Sequence, residues 1–108
     1  MIQVTILKSK GAHRGFRMEG HAGYAEEGQD IVCAAASSAA QFVVAGLTEV
    51  CHIPCEYWLE EGLIMLSLPP ESAAKQEVQS FLETFELYIR QLSLQYKKYM
   101  KISVMEVT

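Results

Sequence analysis

The chain has 108 residues; half of them are hydrophobic, a fifth are charged, and the formal net charge is -4 at neutral pH. This length and composition are typical of one small globular domain, residues 1–108, and exclude a disordered chain. The negative net charge argues against direct binding of nucleic acid, because proteins that bind it present a basic face.

The sequence also bears on the cellular compartment. Three cysteines are an odd number and do not suggest a disulfide framework, so a reducing compartment is expected. The N-terminal residues 1–5 lack the basic leader of a secretory signal. No apolar run approaches the length of about 20 residues that crosses a bilayer. We therefore expect a cytoplasmic protein that does not associate with a membrane.

The first half of the chain is predicted to form a β-hairpin, a loop and a long helix. Alternation of apolar and polar residues predicts a strand over 2–8, a turn-rich connector over 9–15 and a second strand over 16–21. The loop 22–30 contains two glycines and two exposed acidic residues, and we expect it to be mobile without substrate. Asp30 is a suitable N-cap, which predicts a helix from Ile31 to Cys51 with Cys33 as its third residue.

The second half predicts another hairpin, a second helix and a closing strand. The hairpin strands cover 55–59 and 63–68, and alternation should bury one of Tyr57 and Trp58. Apolar residues at three- and four-residue steps predict a helix over 72–97, and a strand follows over 99–107. The order ββαββαβ predicts an α+β fold with both helices packed on one sheet. The pattern leaves the strand order open.

Cys33 and His21 are candidate catalytic residues. A thiol in the first turn of a helix lies near the positive end of the helix dipole, which favours its thiolate form. A histidine that folds back onto this thiol would supply the base for a cysteine nucleophile. The backbone N–H of Cys33 has no intrahelical partner, so the helix N-terminus is also expected to stabilise an oxyanion. The alternative is that Cys33 is a small core residue and His21 merely ends a strand.

Three neighbouring residues have two interpretations each. Asp30 either caps the helix or orients the imidazole of His21. Ser37 lies one turn after Cys33 on the same helix face, where its hydroxyl bonds either near the sulfur or the substrate backbone, or to the carbonyl of the preceding turn. Gly20 either permits close approach of a substrate strand or marks a bulge.

Cys51, His52 and Cys55 are side chains of the type that binds zinc, and they lie close together in the sequence. A structural zinc site needs four ligands at recognisable spacing, and the sequence has no second pair of cysteines or histidines to complete one. We therefore expect no metal, and packing of Cys51 and Cys55 is the favoured interpretation.

The stretch GHAGYAEEGQDIVCAAASS, residues 20–38, resembles the signature of the ribosomal-processing cysteine protease family, Prp. The resemblance implies that His21 and Cys33 form a catalytic dyad and that Gly20, Asp30 and Ser37 belong to the same active-site motif. It implies no cofactor.

The resemblance also implies a substrate. Members of this family remove an N-terminal extension from a protein of the large ribosomal subunit, so a ribosomal protein with a cleavable extension is the expected partner. The family commonly forms homodimers, and the broad apolar surface of the first helix allows one here. Two alternatives differ in chemistry: a non-catalytic ribosome-assembly protein that binds the same extension, and a redox-sensing thiol at Cys33.

Overall fold

The computed structural model describes all residues, 1–108, and contains one five-stranded sheet. The strands are β1 (Ile2–Ser9), β2 (Ala12–Glu19), β3 (Glu56–Glu60), β4 (Leu63–Ser67) and β5 (Met100–Glu106). The helices are α1 (Ile31–Ala45), α2 (Pro70–Ala73) and α3 (Gln76–Gln95), and a π-helical turn, Gly46–Val50, extends α1.

The strand order in the sheet is β3-β4-β2-β1-β5. The two hairpins and the contact between β2 and β4 are antiparallel, whereas β5 lies parallel to β1. The helix α1 packs against α3 and β4, and α3 packs against β2 and β5. The α+β fold with both helices on the sheet is therefore confirmed.

The core lies between the sheet and the helices and contains 23 buried hydrophobic residues. The alternating residues Ile2, Val4 and Ile6 of β1 point into it, as the pattern of β1 predicted. The ring of Phe16 in β2 stacks on that of Phe85 in α3, with centroids 4.2 Å apart. Burial of this apolar surface is the main force that holds the helix layer on the sheet.

The start of α1 agrees with the sequence prediction. Asp30 is the N-cap, in an extended conformation, and Ile31 is the first helical residue. At the other end, a Cβ on Gly46 would lie 2.8 Å from two ring atoms of Phe81 in α3. Gly46 therefore allows α1 and α3 to pack closely, and it lies where α1 changes into the π-helical turn.

The first hairpin is tighter than predicted. Only Lys10 and Gly11 connect β1 to β2, and both have positive φ angles of 52° and 83°. Paired positive φ angles suit a two-residue turn between twisted strands. The predicted connector over 9–15 is therefore wrong, and β2 ends at Glu19, which leaves His21 beyond the strand.

The predicted helix over 72–97 is two helices. It begins earlier, at Pro70, because the fixed φ of proline suits the first helical position. The chain then leaves the helical conformation at Lys75, which has an extended backbone and precedes Gln76, the first residue of α3. The longer of the two helices, α3, ends at Gln95, two residues before the predicted end.

Neither aromatic residue of β3 reaches the core. Tyr57 is 46% exposed and Trp58 is 51% exposed, so the expectation that one of them would be buried is wrong. The reason is that β3 is an edge strand, and α1 packs on its neighbour β4.

The segment Ile31–Val50 corrects the expectation that no apolar run is long enough to cross a bilayer. It has 20 residues and a mean hydropathy of 1.7, so by length and composition it could cross a membrane. Its residues Val32, Ala36, Ala40 and Leu47 are, however, buried in the core. A core helix of a globular protein meets the same criterion, so the segment is weak evidence for a membrane span.

Candidate active site

A cleft of about 590 Å³ lies between α1, the loop 22–30 and the β3–β4 hairpin. The sequence-predicted site residues all line this cleft: Gly20, His21, Asp30, Cys33 and Ser37. Because these residues come from the end of β2, the loop and the first two turns of α1, the fold brings the whole stretch 20–38 to one place.

Cys33 lies in the first turn of α1 and is half-buried. The backbone N–H of Ala22 donates a hydrogen bond to its Sγ, with an N–S distance of 3.2 Å. Ala22 itself is buried, so this donor has a fixed position. The sulfur is therefore held between the helix and the chain segment that carries His21.

His21 is exposed and follows β2 directly. The N–H of Gly20 donates to the carbonyl of Gly62 at 3.0 Å, which continues the pairing of β2 with β4 up to the histidine. A Cβ on Gly62 would lie 3.2 Å from Nε2 of His21, so the imidazole rests against the β3–β4 turn. No hydrogen bond joins the imidazole to Sγ of Cys33 in this conformation, although both residues line the same cleft.

The need for glycine at position 20 has a structural explanation that does not involve substrate. A Cβ at this position would lie 2.6 Å from the carbonyl oxygen of Met1. The amino group of Met1 in turn donates to the carbonyl of His21. Gly20 is therefore required for the close approach of the N-terminal residue to the strand end.

Asp30 caps α1 and does not contact His21. Its Oδ1 accepts the N–H groups of Val32 and Cys33, both at 3.0 Å. Its Oδ2 accepts those of Tyr24 at 2.9 Å and Ala25 at 3.4 Å. Desolvation raises the pKa of this carboxyl group, but the four donors, that of Cys33 first, outweigh it and hold the pKa below its ordinary value.

The expected oxyanion site at the helix N-terminus differs from what the structure contains. The N–H groups of Val32 and Cys33 are both occupied by Asp30 Oδ1, and that of Ala34 donates to the Asp30 carbonyl at 3.1 Å. The N–H of Cys33 thus has no partner in the helix backbone, as predicted, but the side chain of the N-cap accepts it, so in this structure it is not available to an oxyanion. The amide that contacts the sulfur is that of Ala22.

Ser37 has a free hydroxyl group. It lines the cleft one turn after Cys33 and makes no hydrogen bond within the protein, whereas Thr48 and Thr84 both donate to the carbonyl four residues earlier. The alternative that Ser37 bonds to the preceding turn is therefore not observed.

The loop 22–30 is attached to the fold at two points. The first is the pair of bonds from Tyr24 and Ala25 to Asp30. The second is an aromatic contact: the ring of Tyr24 packs edge-on against Tyr96 and Tyr99, with centroid distances of 5.9 and 5.2 Å. Edge-to-face packing of this kind is favourable, so the base of the loop is fixed on the end of α3.

The far side of the loop meets the β3–β4 turn across the mouth of the cleft. Glu27 and Glu61 both line the cleft, and their carboxyl groups are close enough for each to affect the ionisation of the other. This proximity and the charge of Glu27 raise the pKa of Glu61, while the charge of His21 acts in the opposite direction. Two carboxylates this close repel each other when both are ionised.

Several residues of the cleft were not foreseen from the sequence. They are Ala22, Gln41, Leu59, Glu61 and Gly62. The turn Glu61–Gly62 was recognised only as a hairpin signal, and no local pattern relates it to His21. No group of three or more histidine, cysteine or acidic residues is arranged to hold a metal ion.

Comparison with known proteins identifies the family. The family model "Cysteine protease Prp" matches residues 1–101. The ribosomal processing cysteine protease Prp of Bacillus subtilis is 32% identical over 114 residues, which cover 95% of this chain and 96% of that protein.

Solved structures agree in fold. A Streptococcus mutans crystal structure is 30% identical with a TM-score of 0.85 and covers 99% of this chain and 96% of its own. The essential ribosomal processing protease Prp of Staphylococcus aureus, in complex with a covalently linked product peptide, is 23% identical with a TM-score of 0.88; 97% of this chain and 100% of that chain are covered. Since the family model and the Bacillus subtilis relative both span nearly the whole sequence, this chain belongs to the Prp family of ribosomal processing cysteine proteases.

Proposed function

We propose that this protein is a cysteine endopeptidase that removes the N-terminal extension of a large-subunit ribosomal protein. The main observation behind the proposal is that Cys33 and His21 line the same cleft, with Cys33 in the first turn of a capped helix. The names of its relatives support the substrate class, since one is a ribosomal processing protease and another was solved with a product peptide.

In the first half of the proposed reaction, Sγ of Cys33 attacks the carbonyl carbon of the scissile amide. His21 first takes the thiol proton and then donates it to the nitrogen of the leaving amine. The C–N bond breaks, the C-terminal product leaves with a free amino group, and the N-terminal product stays bound to Cys33 as a thioester.

In the second half, water replaces the amine. His21 removes a proton from the water as the oxygen attacks the thioester carbon, and the C–S bond then breaks. The carboxylic acid product leaves and the proton returns to Cys33. The dyad is restored with one water consumed for one peptide bond.

The supporting residues have separate tasks in this proposal. Asp30 fixes the start of α1 and hence the position of Cys33. The N–H of Ala22 donates to the sulfur, and in this proposal it also donates to the oxyanion that forms when the sulfur attacks. The hydroxyl of Ser37 has no other partner and faces the peptide in the cleft.

Closure of the dyad accompanies substrate binding in this scheme. The imidazole of His21 is exposed and not bonded to Sγ, and catalytic hydrogen bonds are often formed only in the substrate complex. A peptide that fills the cleft excludes water and brings the ring toward the sulfur.

We further propose that the protein works in the cytoplasm as a homodimer and does not bind nucleic acid. The three cysteines are all free thiols, as in a reducing compartment, and the net charge is -4. A groove of about 420 Å³ between α1 and α3 is lined by Phe42, Phe81 and Tyr88, and Phe42 is 72% exposed. Exposed apolar surface of this kind is typical of an interface between subunits.

The experiment for the activity is a cleavage assay on the extended ribosomal protein from the same cell, analysed by mass spectrometry. The variants are Cys33→Ala and His21→Ala, with Cys51→Ala and His52→Ala as matched controls because neither control residue lines the cleft. Cleavage at one bond by the wild type and both controls, and by neither site variant, is the expected result.

Two other results would contradict the proposal. An intact substrate in all samples, with binding retained, would favour the alternative that the protein is a non-catalytic ribosome-assembly protein. Cleavage by every variant would remove Cys33 and His21 from the mechanism. The dimer is tested by light scattering after size-exclusion chromatography: Phe42→Ser should give a monomer, whereas Leu94→Ser, an equally exposed apolar residue outside the groove, should not.

A further inference from the structure

We propose that Gln41 and Leu59 form a specificity subsite for the substrate residue that lies three or four positions from the scissile bond. The inference rests on the proposed protease function and adds to it the residues that select the peptide. Its occupant is an extended peptide segment with an apolar side chain at that position.

The distance from the nucleophile follows from the helix. Cys33, Ser37 and Gln41 are spaced by four residues and all line the cleft, so they form one row along the exposed side of α1. Eight residues of α-helix span about 12 Å, and an extended peptide covers that distance in three to four residues. A peptide that has its scissile carbonyl at Cys33 and runs along α1 therefore reaches Gln41 at that position.

The β3–β4 hairpin contributes apolar side chains to the wall of the cleft. Leu59 of β3 and Ile64 of β4 are paired across the hairpin and both line the cleft. Ile64 is buried, whereas Leu59 is 47% exposed because β3 is the edge strand. An apolar side chain placed on Leu59 would cover it, and the carboxylate of Glu60 beside it would disfavour an acidic residue.

Gln41 offers hydrogen bonds that the fold does not use. Its side chain is exposed and makes no hydrogen bond within the protein. The chain contains a counterpart that is used: Gln79 of α3 accepts the N–H of His13 at 2.9 Å and donates to its carbonyl at 2.8 Å. A glutamine on a helix can therefore hold one residue of an extended strand by both backbone groups, and Gln41 is positioned to do so for a peptide in the cleft.

The catalytic cleft determines where such a peptide must lie. Cys33 and Gln41 belong to the same cavity as Leu59, with Ser37 between the two α1 residues. A substrate bound at the sulfur thus continues along α1 and β3, and the contacts with Gln41 and Leu59 extend the contacts at the nucleophile. Contacts of this kind act on substrate binding and leave the reacting atoms unchanged.

The test compares variants on peptides that span the cleavage site, once mass spectrometry of the wild-type reaction has fixed the scissile bond. Gln41→Ala and Leu59→Ala should each raise KM by about tenfold and change kcat by less than about twofold. Gln91→Ala and Leu87→Ala, an exposed glutamine and an exposed leucine on α3, are the matched controls and should equal the wild type.

The peptide is varied in the same experiment. Alanine at the third or fourth residue from the cut should weaken wild-type cleavage by about as much as Leu59→Ala does, and should add little to that variant, because both changes remove the same contact. Values of KM for Gln41→Ala and Leu59→Ala equal to those of the wild type would overturn the subsite and leave the protease function intact.

The subsite can also be judged if the wild type does not cleave. In that case the proposed function fails, and the extension peptide is titrated into Cys33→Ala protein while NMR follows the side-chain amide of Gln41 and the methyl groups of Leu59. Shifts confined to these signals, with Gln91 and Leu87 unmoved, support the subsite. No shift at Gln41 and Leu59 at saturating peptide overturns it.

Discussion

The carboxylate of Asp30 accepts the backbone N–H of Cys33 at 3.0 Å, so the residue that caps α1 also fixes the backbone of the proposed nucleophile. Its second oxygen holds Tyr24 and Ala25 at the base of the loop. One side chain therefore sets the relative position of the helix and the loop that enclose the cleft.

Asp30→Ala should lower kcat/KM by more than its loss of unfolding free energy would explain. Removal of an N-cap costs about 1 kcal/mol of unfolding free energy, but it also frees the loop from the helix and lets Cys33 shift. Asp30→Asn keeps an acceptor for the helix N–H groups and should restore most of the stability and part of the activity. The measurements are kcat/KM and the midpoint of urea unfolding; an Asp30→Ala enzyme with wild-type kcat/KM would contradict the positioning role.

Asp30 should also make stability depend on pH in the acidic range. Its pKa in the folded state is below the ordinary value of 3.8, so the carboxylate contributes stability that is present above that value and is lost as the pH falls through the folded pKa. Asp30→Asn should reduce this loss in urea unfolding measured as a function of pH. An identical pH dependence in wild type and variant would show that the four N–H contacts do not favour the ionised form.

A second acidic residue stabilises the other side of the fold. The carboxylate of Glu86 in α3 contacts three nitrogen atoms. Its Oε1 lies 2.7 Å from His13 Nε2 and 3.3 Å from Lys8 Nζ, and its Oε2 lies 2.9 Å from Arg90 Nε. Desolvation raises its pKa, but these donors outweigh it and lower the pKa from 4.5 to about 2. Stability from Glu86 is therefore present above 4.5 and is lost as the pH falls from there toward 2.

Glu86→Gln should lower the unfolding free energy by about 1 to 3 kcal/mol at neutral pH and flatten its fall in acid. The matched control is Glu83→Gln, since Glu83 is exposed on the same helix and has no ion-pair partner. Chemical unfolding at a series of pH values measures both effects. Equal losses in the two variants would mean that the contacts of Glu86 contribute nothing specific.

Glu27 and Glu61 should make the loop 22–30 respond to pH. The carboxyl group of Glu27 is the first cause of the raised pKa of Glu61. The conformation that holds the loop against the β3–β4 turn therefore loses stability as the pH rises through that pKa. Amide hydrogen exchange in the loop, corrected for intrinsic rates, should therefore be faster at neutral than at acidic pH. Glu61→Gln should remove the difference, whereas Glu56→Gln, at the far end of β3, should not.

The same exchange measurement tests whether the loop is mobile without substrate. Exchange as slow as that of α1 would contradict mobility, because protection of that degree belongs to residues that open only with the whole domain. Tyr24 contacts Tyr96 and Tyr99, so we expect only the part of the loop after Tyr24 to be mobile.

Gly62→Ala should reduce activity through the imidazole of His21. Gly62 has a φ of 78°, which costs an alanine about 1 kcal/mol, and the new Cβ would lie 3.2 Å from Nε2 of His21. Gly11→Ala is the matched control: its φ is 83° and nothing lies within 4 Å of the new Cβ. Both variants should lose similar stability in thermal unfolding, but only Gly62→Ala should lose kcat. Equal kcat in both variants would show that Gly62 does not affect the proposed role of His21.

Local sequence signals predicted the parts of the fold that depend on local physics. Alternation identified β1, and the capping chemistry of Asp30 fixed the first residue of α1 and the helical position of Cys33. The residues of the candidate site were found for a related reason: they lie within one short stretch, 20–38, so their proximity does not depend on distant parts of the chain.

Tertiary contacts decide what the sequence left open. The exposure of Tyr57 and Trp58 follows from the edge position of β3, which no pattern within the strand reveals. The proximity of Gly62 to His21 follows from the pairing of β2 with β4, and the occupied N–H of Cys33 follows from the side-chain rotamer of Asp30.

The parallel pairing of β5 with β1 has a consequence for how the chain acquires its shape. Ile2 pairs with Met100, so one side of the inner strand β1 stays open until the residues of β5 have been synthesised. Contacts between residues this far apart in sequence form slowly, because the chain between them must first be brought together. The nascent polypeptide thus completes its sheet only after the last strand has left the ribosome, and a messenger truncated before residue 100 yields no finished enzyme.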